Sequence, residues 1–296
     1  MRFLNRNLWP GVQPSAQGRM SRLVAQTAVD PDLRAREISD LPDATRSYAI
    51  FFVARSGSTW LADLLSRQLD LGKPREYLNI NMVGRFAAEM NADTLADYLA
   101  LLRRKRATGN GVFGIKVDVS QLSALIAELP FAEAFHDYVW FYLRRSNPVA
   151  QAISHYKAMA SGLPHRRRSD PLAERQRLES AHARIPYDAA AIARHLSEIV
   201  AAEKLGERLM AQFAIQPTRL IYEEMLAVRP DQVVGIVRRQ VLGTVAPVEA
   251  RVKPSNIEKF GDSRNQAFEE RFRRDEALLV HQLEAERPPL HSASFC

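Results

Sequence analysis

The chain of 296 residues is long enough for one large α/β domain with a full core or for two small ones, and 46% hydrophobic with 25% charged residues is ordinary for a soluble globular protein. An excess of 41 Lys+Arg over 34 Asp+Glu gives a net charge of +7, which suits phosphate, sulfate, nucleic acid or an acidic membrane surface. The single cysteine, Cys296, excludes an intrachain disulfide and a cysteine zinc site, and residues 1–18 hold no apolar run of signal-peptide length, so a cytoplasmic enzyme is expected.

Residues 1–45 read as a partly ordered leader, polar and broken by Pro31 and Pro42, with one short helix. Residues 47–54 are a continuous apolar, β-rich run, the signature of a strand buried on both faces of a parallel sheet. A tight polar loop follows, Arg55-Ser56-Gly57-Ser58-Thr59, and then Trp60, Leu61, Leu64, Leu65 and Leu69 at helical spacing. The pattern returns with strands at 112–117 and 138–143 and helices at 122–129 and 148–159, the latter opened by Pro148. A long amphipathic helix at 189–213, a short strand at 219–222 and a helix at 231–242 come next. Strands alternating with helices predict a three-layer α/β domain with a central parallel sheet flanked by helices over 46–286. The proline-rich, charged stretch 161–186 reads either as a segment over a site or as a solvated surface excursion, and 287–296 as a C-terminal tail.

On its own chemistry the loop after the first strand reads as an anion site, with an ordinary Ser/Thr helix cap as the alternative. Unpaired N–H groups and the helix dipole at the start of the following helix favour negative charge, Gly57 lets backbone approach closely, Ser58 and Thr59 add hydroxyl donors, and Arg55 adds a fixed charge that grips two oxygens. The usual nucleoside-triphosphate loop needs a first glycine and a lysine that are absent here. With its preceding apolar strand, Arg-Ser-Gly-Ser-Thr-Trp-Leu instead resembles the 5′-phosphosulfate loop of sulfotransferases, which implies donor contacts from Arg55, Ser56, Gly57, Ser58, Thr59 and Trp60. Residues 144–156, an arginine pair at a strand end, a proline opening a helix and Ser154 two turns along, look like the family's 3′-phosphate motif, with Arg145 and Ser154 as ligands. Arg219-Leu-Ile-Tyr222-Glu-Glu-Met resembles its Tyr-Glu-Asp-Leu segment, whose tyrosine contacts adenine in some relatives.

Gly72-Lys-Pro-Arg-Glu76-Tyr-Leu and Asn110-Gly-Val-Phe-Gly-Ile-Lys116 are similar to motifs of the bacterial trehalose 2-sulfotransferase family, as are Glu258-Lys259, Asn265, Phe268 and Arg271-Phe-Arg273. The resemblance spans about residues 47–274. Lys73 stands where the trehalose enzyme has an acidic residue, Phe113 and Phe268 replace tryptophans, and Lys259 takes an arginine's place, which leaves the acceptor open.

The resemblance implies a P-loop-like fold and transfer of a sulfuryl group from 3′-phosphoadenosine 5′-phosphosulfate (PAPS) to a hydroxyl of a carbohydrate or glycolipid by in-line displacement. Glu76 would be the base, Arg55 the charge stabiliser, Lys116 a group at the acceptor or the sulfate, and Lys259 a donor contact. It also admits a homodimer and peripheral membrane contact. No metal is expected, because the seven histidines show no paired ligand spacing. No nucleic-acid partner is expected either, since 103–106 and 166–168 are basic runs without interleaved aromatics. The alternatives are a small-molecule kinase of P-loop type, which would need the missing loop lysine, and a non-catalytic nucleotide-binding protein.

Overall fold

Alternation along the first strand divides the core in two. Ala49, Phe51 and Val53 enter one hydrophobic cluster and Tyr48, Ile50 and Phe52 the other, so the strand is buried on both faces. The computed structural model describes residues 18–162, 166–243, 252–258 and 263–291.

Helices α1 (Arg19–Ala25) and α2 (Pro31–Asp40) precede β1 (Arg46–Phe52), and α3 (Ser58–Ser66), α4 (Val83–Met90) and α5 (Leu95–Arg106) lead to β2 (Val112–Asp118). Helices α6 (Val119–Ile126) and α7 (Phe131–Phe135) lead to β3 (Tyr138–Arg144). Next come α8 (Pro148–Ser161), the short strand β4 (Arg166–Arg167), α9 (Leu172–Arg184), α10 (Ala189–Gln212) and β5 (Thr218–Ile221). Helices α11 (Tyr222–Ala227) and α12 (Pro230–Leu242), strand β6 (Ile257–Glu258) and helices α13 (Ser263–Asp275) and α14 (Ala277–Ala285) complete the order.

The four long strands form one parallel sheet in the order β2-β1-β3-β5. Helices α3 and α12 cover the face that carries Tyr48 and Ile50, and α5, α6, α8 and α10 contribute to the cluster on the other. This is the α/β architecture expected from the alternation of elements. The sheet order reverses at β1, whose sequence-adjacent strand β2 lies on one side and β3 on the other. Ligands of open α/β sheets bind at the carboxyl ends of the strands at such a switch point.

Several boundaries differ from the sequence reading, each for a local reason. The first strand ends at Phe52 rather than 54, because Arg55 takes a left-handed φ of 65° and the chain turns while Val53 is still buried in the core. The helix expected from Leu122 opens at Val119, where Asp118 and Gln121 form a capping box that apolar periodicity does not register. The leader carries two helices where one was read, and Met20 and Val24 of α1 are buried in the main core. Within 161–186, α9 is an ordered helix that buries Leu178 and His182. The basic run ending α5 is ion-paired: Arg103 and Arg104 meet Asp43, Lys105 meets Glu37 and Arg106 meets Glu89.

Candidate active site

A cavity of about 720 Å³ opens at the carboxyl ends of the four strands. Of the residues singled out from sequence, Arg55, Gly57, Ser58, Thr59, Trp60, Glu76, Arg145, Ser154 and Tyr222 line it. Ser56 is fully buried behind the loop, and its Oγ has no hydrogen-bond partner among the described residues. Lys259 lies outside the described residues.

The loop after β1 is shaped by Gly57, which has φ 90° and would place a Cβ 2.1 Å from Cδ2 of Tyr222. No larger residue fits under that ring. Helix α3 begins at Ser58, so its first N–H groups have no intrahelical acceptor and lie at the cavity wall. From α8, Gln151 fixes the loop by donating from Nε2 to the Ala54 carbonyl at 2.7 Å. Arg55 Nε donates to Ser154 Oγ at 3.1 Å, which joins the loop to the residue read as a 3′-phosphate ligand.

Arg145 leaves β3 with its guanidinium carbon 5.1 Å from the centroid of the Tyr222 ring, and its Nε donates to Glu223 Oε1 at 3.0 Å. The second Glu223 oxygen accepts from the Ser146 N–H at 2.8 Å. Burial works to raise the Glu223 pKa, but the Ser146 N–H and Arg145 outweigh it and hold the carboxyl below its ordinary range. For Arg55, burial and the neighbouring Arg145 charge lower the pKa, as two cations converging on one cavity must.

Glu76 reaches the same cavity by a different route. Residues 72–76 run along the free edge of β2, where Arg75 forms a parallel bridge with Ile115 and its carbonyl accepts from the Lys116 N–H at 2.9 Å. That pairing sets Glu76 beside Lys116, with Lys116 Nζ 3.0 Å from Glu76 Oε1 and 3.3 Å from Thr59 Oγ1. Lys116 is only 5% exposed, so this strand-end lysine is not simply solvated; its ammonium also lies 5.1 Å from the centroid of the Phe52 ring. Asn79 and Gln121 each donate a side-chain amide to Glu76 Oε2, at 3.2 and 3.3 Å. Burial pulls the Glu76 pKa up, yet Lys116 and the two amides win and hold it below the ordinary carboxylate value. Asp118, on the same wall, is pushed the other way, chiefly by burial.

Among the described residues no histidine lines the cavity. His155 turns its ring toward His195, at 4.5 Å between centroids, and burial followed by the His195 charge pushes its pKa down to about 4.

Sequence reasoning passed over Asn79, Gln121 and Glu223, which hold Glu76 and Arg145 in place. For Glu223 a signal was present, since it follows Tyr222 in the quoted segment; for Gln121 the capping-box spacing from Asp118 was the only one.

The model of the Stf0 sulphotransferase family matches residues 47–275. The chain belongs to this family. As a Stf0 sulphotransferase it is a transferase, and the match covers every element that reaches the cavity. No curated protein sequence matches it. Among solved structures it is similar to the sulfotransferase domain from the Synechococcus PCC 7002 olefin synthase, at 15% identity and a TM-score of 0.43, covering 84% of this chain and 98% of that one. Among the described residues no helix is long and apolar enough to cross a membrane.

Proposed function

We propose that the protein moves the sulfuryl group of PAPS to a hydroxyl of a carbohydrate or glycolipid, with Glu76 as the general base. The observation that carries this reading is the ion pair of Glu76 with Lys116, which also contacts Thr59 of the donor loop, so that one buried ammonium joins two residues of the cavity wall, a carboxylate and an anion-binding helix start. Arg145 and Ser154, on the same wall, supply the charge and the hydroxyl that a separate 3′-phosphate needs.

In the proposed step the acceptor oxygen attacks sulfur, its proton passes to a Glu76 oxygen, and the bond from sulfur to the bridging oxygen breaks, leaving adenosine 3′,5′-bisphosphate. Charge that accumulates on the departing oxygen faces Arg55, the N–H groups of Ser58 and Thr59, and Lys116. The depressed Glu76 pKa keeps the carboxylate ionised at neutral pH, and the Lys116 ion pair that lowers it makes the carboxylate a weaker base, so its contribution rests on position beside the attacking hydroxyl. By analogy with phosphoryl transfer, positioning and electrostatics supply most of the acceleration.

The test is Glu76→Gln, which keeps shape and polarity but removes the base. Turnover of PAPS with a responsive acceptor from a panel of sugars and glycolipids should fall by roughly 10²–10⁴. Affinity for adenosine 3′,5′-bisphosphate should hardly move. Near-normal turnover removes Glu76 from the role, and lost nucleotide binding makes its carboxylate structural. Greater thermal stabilisation by ATP with magnesium than by the bisphosphate would turn the assignment toward a kinase.

A further inference from the structure

Helices α8 and α10 pack along each other, and between them lies a cluster that no step of the proposed transfer uses. His155 comes from α8; His195 and Glu198 come from α10, where an i, i+3 spacing puts them on one face. His195 Nδ1 lies 2.9 Å from Glu198 Oε2, and the two imidazole rings are 4.5 Å apart between centroids. One ligand atom from each of the three residues falls within 4.8 Å of the others. His155 Nδ1 is buried and has no hydrogen-bond partner among the described residues. A buried polar atom without a partner calls for an explanation.

We infer that His155, His195 and Glu198 form a binding site for a divalent transition-metal ion that ties α8 to α10. Two imidazoles and one carboxylate favour a borderline ion such as Zn²⁺ or Co²⁺ over Mg²⁺ or Ca²⁺, which prefer all-oxygen shells. Tetrahedral bonds to zinc of about 2.0–2.1 Å set ligand atoms roughly 3.3 Å apart, a closure that side-chain rotation on two packed helices can supply. The fourth position is left to water. An ion here would supply the partner that His155 Nδ1 lacks, and Glu198 would contribute negative charge to the ligand set.

The site does not touch the donor. It lies one residue along α8 from Ser154, which lines the cavity and accepts from Arg55, so its role is to fix that stretch of helix rather than to take part in transfer. The ligands were invisible along the chain because His155 and His195 stand 40 positions apart and meet only through helix packing.

The inference is independent of the acceptor, the donor and Glu76, and its test reads metal directly. The full chain without an affinity tag is equilibrated with Co²⁺, dialysed, and measured for bound metal and for the ligand-field absorption of the protein-bound ion. One Co²⁺ per chain is expected, displaced by Zn²⁺ and not by Mg²⁺. Glu198→Gln, at a partly exposed position, should weaken binding at least about 10-fold. His195→Ala and the double change His155→Ala/His195→Ala should abolish it in protein shown by near-ultraviolet circular dichroism to be folded. No stoichiometric Co²⁺ on the wild-type chain, or binding that persists unchanged in Glu198→Gln and in the folded double variant, overturns the site.

Discussion

Arg145 is held from two sides, by the Tyr222 ring and by the Glu223 carboxylate, so its guanidinium is in place before any anion arrives. Removing it should weaken adenosine 3′,5′-bisphosphate binding by about 1.5–3 kcal/mol, the scale of a charge-assisted contact, while the fold stays intact. Calorimetry on folded Arg145→Ala decides it, and an unchanged affinity would move the 3′-phosphate elsewhere. Lys116 sets the second residue-scale prediction. It is the cation that opposes burial at Glu76, so in Lys116→Met the burial contribution prevails and the Glu76 pKa rises. The acid limb of the kcat/KM profile should therefore move to higher pH, and Lys116→Arg should restore much of the shift. The same linkage acts on stability. A carboxyl with a depressed native pKa favours the fold above its ordinary titration range and loses that contribution as pH falls through the native value. The stability gap between wild type and Glu76→Gln should accordingly close in acid, a change that urea unfolding at several pH values measures.

At the scale of elements, the catalytic carboxylate proposed here depends on a segment that belongs to no strand of its own. Residues 72–76 run beside β2, and Gly72 makes the approach possible: it has φ 73°, and a Cβ would stand 3.0 Å from the Gly114 N and 3.2 Å from the Val112 carbonyl. Both contacts are backbone, so neither can swing away. Gly72→Ala should therefore displace the segment and carry Glu76 off Lys116, cutting turnover while leaving nucleotide affinity close to wild type, because the loop after β1 and the start of α8 are untouched. Equal loss of both would mean that the edge segment supports the donor site as well. The Asn110 side chain reinforces the arrangement by donating to the Asp70 carbonyl at 3.0 Å, and Phe113 stacks on Tyr77, so the segment ending at Lys116 and the segment containing Glu76 are packed on each other.

Across the whole molecule, residues 287–289 are tied to the centre of the sheet. Arg287, at the start of the stretch read as a tail, pairs with Glu203 and donates to the carbonyls of Arg145 and Ser146. Arg144 meets the same carboxylate at 2.6 Å and also donates to the carbonyls of Pro288 and Pro289. Glu203 is fully buried between two arginines, so Glu203→Ala leaves uncompensated charge in the interior and should cost about 3–5 kcal/mol, read as a lowered urea midpoint. An unchanged midpoint would show that the network adds nothing net. Because Arg287 clasps the backbone at Arg145, the same variant should also loosen nucleotide binding.

Sequence alone determined the elements whose chemistry is local. The apolar run of β1, the proline that opens α8 and the polar loop with Gly57 follow from short-range preferences, and they placed Arg55 and Arg145 just past strand ends, Ser58 and Thr59 at a helix start and Ser154 within α8. Local pattern misled where burial outlasts a strand, as at Val53, and where a cap rather than an apolar stripe begins a helix, as at Asp118. Only the tertiary structure decided what depends on contact between distant parts of the chain. The Lys116 ion pair with Glu76, the clasp of Glu223 on Arg145, the meeting of His155 with His195 and the anchoring of Arg287 all join residues dozens of positions apart. Such pairs leave no period in the sequence, because sheet order and helix packing bring them together, and those are settled by burying the whole core at once.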